Sequence, residues 1–83
     1  MATELHNVKI MRSGRVVEAF TAHLDVKGDQ TVLHATLRQL LLDAVDRSGW
    51  NRQKYAHEFT LTARKPGWAH DAFPPYVIPR QEV

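Results

Sequence analysis

Residues 31–47, TVLHATLRQLLLDAVDR, decide the fold of this chain. Leu33, Leu37, Leu40, Leu41, Ala44 and Val45 recur at three- and four-residue spacing, which places them on one face of a helix. Asp29 and Thr31 are candidate N-caps, because their side-chain oxygens can accept hydrogen bonds from first-turn amides. Arg47 suits the negative end of the helix dipole, and Gly49 can take the left-handed conformation that ends a helix. Each leucine contributes roughly 1.5–3 kcal/mol when fully buried, so this face must dock on another layer.

The flanking segments supply that layer. Residues 5–12, LHNVKIMR, and 15–24, RVVEAFTAHL, read as strands joined by a tight turn at Ser13-Gly14. Val8 and Ile10 share a face of the first strand, with Leu5 and Met11 on the other. In the second, Val16, Phe20, Ala22 and Leu24 alternate, Glu18 interrupts their face, and Val17 and Ala19 point the opposite way. A bulge near Glu18 accounts for the irregularity. Residues 25–30, DVKGDQ, form the loop into the helix, and residues 48–53, SGWNRQ, form a polar connection out of it. Residues 54–64, KYAHEFTLTAR, read as a third strand, with Tyr55, His57, Phe59, Leu61 and Ala63 toward the helix. Lys65-Pro66-Gly67 ends regular structure. Pro74, Pro75 and Pro79 then disfavour a central strand or long helix, while Tyr76-Val77-Ile78 can form a short edge strand.

The expected architecture is a small two-layer α+β domain of ββαβ order, with one helix on a three- to four-stranded sheet. It spans residues 1–67, and residues 68–83 form an extended aromatic and proline-rich tail packed on the domain or on a partner. A helical crossover after a hairpin favours a third strand parallel to the first, with an antiparallel strand as the alternative. The order across residues 5–64 resembles the first part of a β-grasp, the ubiquitin-like fold. Carriers of that fold end in Gly-Gly, whereas this sequence ends Pro79-Arg80-Gln81-Glu82-Val83, so carrier chemistry is not expected. Fold resemblance alone assigns no function.

Eighty-three residues with a net charge of +2 and no cysteine suit a single domain without disulfides or thiolate zinc sites. The start, MATELHNVK, lacks the basic and apolar regions of a signal peptide, and the longest apolar run is Leu40–Leu42. A cytoplasmic protein without membrane association is the expectation.

No catalytic motif is present. G-x-S-x-G and the phosphate-loop pattern are both missing from the sequence. His6, His23, His34, His57 and His70 lack metal-ligand spacing; His6 and His23 could approach across the hairpin, with Glu4 or Asp25 nearby. Asp43 and Asp46 lie three apart on the helix and are read as partners of Arg38 or Arg47 on a solvated face. The chain is therefore read as a non-enzyme with no catalytic residues, metal or cofactor.

Two binding surfaces are suggested. Trp68, Phe73, Tyr76, Val77 and Ile78, with Trp50, form an aromatic and aliphatic set suited to a protein partner or a second copy of the chain in a homodimer. Together with an open sheet edge, they point to a protein-interaction or regulatory module, such as an accessory protein of a bacterium or phage. The alternative is nucleic-acid binding through Arg47, Arg52, Lys54, Arg64 and Lys65, with aromatic residues among them.

Overall fold

The computed structural model describes residues 2–80. Strand β1 (Glu4–Arg12) pairs with β2 (Arg15–Leu24), helix α1 (Gln30–Arg47) follows, and a short helix α2 (Arg52–Tyr55) leads through a 3-10 turn (Ala56–Glu58) into β3 (Phe59–Arg64). The hairpin turns at Ser13 and Gly14, whose φ values of 52° and 78° suit a tight turn matched to strand twist. Its register shifts between Ile10 and Met11: Ile10 lies opposite Glu18 and Met11 opposite Val16. Val17 is therefore the extra residue, one position from the expected bulge.

The sheet order is β2-β1-β3 and both pairings are antiparallel. The antiparallel alternative is therefore the one found, which corrects the favoured parallel third strand and, with it, the β-grasp arrangement. The reason is length. Helix α1 has 18 residues and so runs about 27 Å. The nine residues of β1 cover about 30 Å. The helix starts where β2 ends and carries the chain back across the whole sheet. It emerges beside the hairpin turn, so β3 starts opposite Arg12 and descends to pair with Asn7.

Residues 54–58 are a second correction, since they are helical rather than extended. Asn51 caps α2 by accepting a hydrogen bond from the Lys54 amide at 3.1 Å. The alternation of Tyr55 and His57 with Phe59 imitates a strand, but only Phe59, Leu61 and Ala63 lie buried on β3. Half-buried His57 sits in the 3-10 turn beside Glu58.

Helix α1 begins at Asp29, whose carboxylate accepts from the Thr31 amide at 2.8 Å and from that of Val32 at 3.4 Å. It ends in a Schellman cap: the Trp50 amide donates to the Val45 carbonyl at 3.2 Å, and Gly49, with φ 84°, donates to Asp46 at 3.0 Å. Its buried residues are Leu33, Leu37, Leu41, Leu42, Ala44 and Val45. Leu40 is only half-buried, and Leu42 takes a core position that the spacing had not assigned. Leu42 is one turn beyond Arg38 and seven residues beyond Ala35, two residues that line the groove beside the tail.

The core lies between α1 and one sheet face. Val8 and Ile10 of β1 and Phe59, Leu61 and Ala63 of β3 are buried there, joined by Leu24, Ala56 and Ile78. The inward side of β2 is covered less completely: Phe20 and Ala22 are half-buried. No helix of the described residues is long and apolar enough to cross a membrane.

Candidate interaction surfaces

The tail is attached to the sheet. Tyr76 and Leu61 exchange two backbone hydrogen bonds, each 2.9 Å, and the Ala72 amide donates to the Ala63 carbonyl at 2.8 Å. This is one antiparallel bridge in place of the expected short strand at 76–78. It occupies part of the outer edge of β3. Ile78 is 1% exposed and belongs to the core, while Phe73 and Tyr76 pack against it. The Tyr76 ring also meets His34 of α1, with centroids 5.8 Å apart. Between α1 and the tail runs a groove of about 560 Å³, lined by Leu33, Leu37, Phe73, Pro75 and Val77 among others.

The suggested protein-binding residues therefore divide. Trp50 anchors the helix C-terminus, meeting Tyr55 edge-on at 4.9 Å and Phe59 at 6.2 Å, with the Arg12 guanidinium 4.2 Å from its ring. Arg12 also binds Glu58 at 2.6 Å. Trp50, Phe73, Tyr76 and Ile78 thus spend much or all of their apolar surface inside this chain. Trp68 and Val77 remain 52% and 49% exposed.

Trp68 is held by a turn. Its amide donates to the Lys65 carbonyl at 3.0 Å, with Pro66 and Gly67 (φ 81°) at the two central positions. This is a type II turn, which needs a left-handed residue at its third position. The Lys65 ammonium lies 4.8 Å from the Trp68 ring, and His70 meets that ring edge-on at 5.4 Å.

The five suggested nucleic-acid contacts do not form one patch. Arg47 pairs with Glu18 of β2, and Arg52 pairs with Asp46. These pairings replace the expected bonding of Arg47 within its own helix, while Asp43 accepts from Gln39 at 2.7 Å. Hydrogen bonding to Arg52 holds the Asp46 carboxyl below its usual range, and hydrogen bonding to Glu18 raises the Arg47 guanidinium. Lys54 is exposed on α2. Arg64 and Lys65 lie at the far end of β3, where Arg64 pairs with Asp71 at 3.2 Å and Lys65 with Glu4 at 2.8 Å. The Lys65 hydrogen bond is the main cause of the lowered Glu4 pKa.

His6 and His23 are separated by the sheet. His6 faces the core opposite Ala22, whereas His23 is exposed on the other face opposite Leu5. The His6 Nδ1 lies 2.8 Å from the Glu4 carbonyl oxygen, which can only accept, so the proton sits on Nδ1. Its Nε2 has no hydrogen-bond partner among the described residues. Among the described residues, no group of three histidine or carboxylate side chains converges as metal ligands.

The two surfaces that sequence reasoning left undeveloped are the outer edge of β2 and the sheet face opposite α1. The first has no strand beyond it among the described residues, in the order β2-β1-β3. The second contains exposed Leu5 and Val16 and adjoins Trp68. Their signal in the sequence is weak, because an open edge is defined only by which strand lies next to it. Comparison of the chain with protein-family models, curated proteins and solved structures finds no match.

Proposed function

We propose that this chain is a small, non-catalytic protein-interaction module of the cytoplasm, acting as an accessory or regulatory protein. It recruits a partner by adding that partner's strand to the outer edge of β2. The observation that carries this reading is the ten-residue length of β2, whose outer side has no neighbouring strand among the described residues. Such an edge presents backbone donors and acceptors to an incoming chain. Its sequence, RVVEAFTAHL, contains no proline or lysine, two residues that commonly block edge pairing. Phe20 and Ala22, half-buried beneath the edge, would gain burial from an added strand.

The opposite edge of the sheet supports the choice of β2, because the tail already bonds to Leu61 and Ala63 of β3. A second copy of the chain is the simplest partner: two β2 strands pairing antiparallel would extend the sheet symmetrically.

Sedimentation velocity over a concentration series tests self-association, and affinity capture from nuclease-treated native extract tests a different protein. Ala19→Lys combined with Thr21→Lys places charge at two exposed β2 positions. The expected result is concentration-dependent association, or a captured protein, that this variant loses. A wild-type chain that stays monomeric and captures nothing sensitive to the variant would overturn the reading.

A further inference from the structure

The face of the sheet opposite α1 has a chemical bias independent of the β2 edge. Cross-strand partners project to the same side, and neighbours along a strand alternate. Lys9 lies opposite both Ala19 and Thr62, and Asn7 opposite both Thr21 and Arg64. These six residues therefore share the open face. Every acidic strand residue, Glu4 and Glu18, has the opposite parity and belongs to the helix side.

A shallow depression of about 460 Å³ lies on this face, lined by Asn7, Lys9, Met11, Thr62, Arg64 and Trp68 among others. Trp68 forms its wall, with half of its surface in solvent. Lys9 stands near the centre of the face and forms no ion pair among the described residues. Three cations, Lys9, Arg64 and Lys65, line the depression against one carboxylate, Asp71, which pairs with Arg64, so the lining keeps an excess of positive charge.

We infer that this open face binds single-stranded nucleic acid, with Lys9 and Arg64 contacting phosphates and Trp68 stacking on a base. The charge is complementary to a polyanion. Asn7 and Thr62 offer polar groups to base edges, and a half-exposed indole beside cations is the combination that single-strand platforms use. The open face of a three-stranded sheet presents no protruding helix or ribbon to a duplex groove, so the exposed bases of a single strand fit better. This surface differs from the scattered arginines at the helix C-terminus. It also does not require the β2 partner.

The test is fluorescence anisotropy with a labelled oligothymidylate of about 12 nucleotides, a length within the span of one small sheet domain. Binding is expected at low salt, with a log–log salt slope near −1.4 for about two phosphate contacts. Trp68→Ala should weaken it about tenfold, the loss of one stacked base. Lys9→Glu should weaken it more than Lys9→Gln, while Lys54→Glu, with the same change in net charge, should leave it within twofold. Far-UV circular dichroism and the urea midpoint establish that each variant is folded. The Ala19→Lys, Thr21→Lys variant separates the two proposals, since it should lose partner association yet retain or strengthen oligonucleotide binding.

Three results would overturn the inference. One is no anisotropy change up to about 100 μM protein, the weak end of non-specific affinity. Another is equal weakening by Lys9→Glu and Lys54→Glu, which would mean diffuse attraction. The third is duplex binding as tight as single-strand binding. Capture of a protein partner that is lost on Lys9→Glu, with no oligonucleotide binding, would make the face a protein-docking surface instead.

Discussion

The two faces of the sheet use the same three strands and share every backbone hydrogen bond, yet they present different chemistry. One face presents Val8, Ile10, Phe59 and Leu61, all buried, to α1, with Phe20 and Ala22 half-buried at its β2 margin. The other presents Asn7, Lys9, Thr62 and Arg64 and has no layer over it among the described residues. A side-chain period of two makes this division possible, because each residue can serve only one face. The lesson is that stability is concentrated on one side, which leaves the other side's chemistry open to selection for binding.

The largest expected effect tests that division directly. Phe59→Ala should destabilise the protein by about 3–5 kcal/mol, from lost transfer energy and the cavity left behind. Thr60→Ala, one residue along on the open face, should change stability by less than about 0.5 kcal/mol. Urea denaturation of both variants measures the contrast, and comparable losses would show that the open face also carries the fold.

Ile78 extends the comparison to the tail. If its burial places the tail in the same cooperative unit, Ile78→Ala should cost about 2–5 kcal/mol. The Leu61 and Tyr76 amides, which bond across the bridge, should then exchange with solvent only on global unfolding. Rapid exchange there, with unchanged stability, would detach the tail from the core.

The helix that covers the core face depends on its cap. Asp29→Ala removes the acceptor for the Thr31 and Val32 amides and should cost about 1 kcal/mol, read from the urea midpoint. Asp29→Asn should retain most of the stability, because the amide oxygen can still accept.

The smallest effect is acid sensitivity. Glu4 and Asp46 have pKa values lowered from 4.5 and 3.8 by their bonds to Lys65 and Arg52. Their contribution is present above those unfolded-state values and disappears as pH falls through the lower folded-state values. Both pairs are solvent-exposed, so only a shallow fall in melting temperature below about pH 4.5 is expected, weakened further by salt. Charge-neutral Glu4→Gln should flatten its share of that slope.

Much of the fold was legible locally. The bounds of β2, the tight turn at Ser13-Gly14, the N-cap at Asp29 and the Gly49 terminator depend on residues within a few positions of one another. The helical turn before β3 was obscured because Tyr55, His57 and Phe59 fit a strand alternation, while the Asn51 cap that favours helix is a single polar residue. The site was less legible. Trp68 was named as a candidate contact, but Trp50, Phe73, Tyr76 and Ile78 gave the same hydrophobic signal while packing inward. Lys9 gave no signal of its own, since the surface it belongs to is completed by Thr62, Arg64 and Trp68, more than fifty residues away.

The sequence by itself determined the strands of the hairpin, the single amphipathic helix and the amphipathic character of both layers, because hydrophobic period, capping and turn chemistry act over short range. The tertiary structure decided the antiparallel direction of β3, the bare edge of β2, the seating of the tail and the gathering of Lys9, Arg64 and Trp68. Those outcomes depend on how far α1 carries the chain across the sheet and on which strands become neighbours. They are set by geometry summed over many residues, and no local pattern records it.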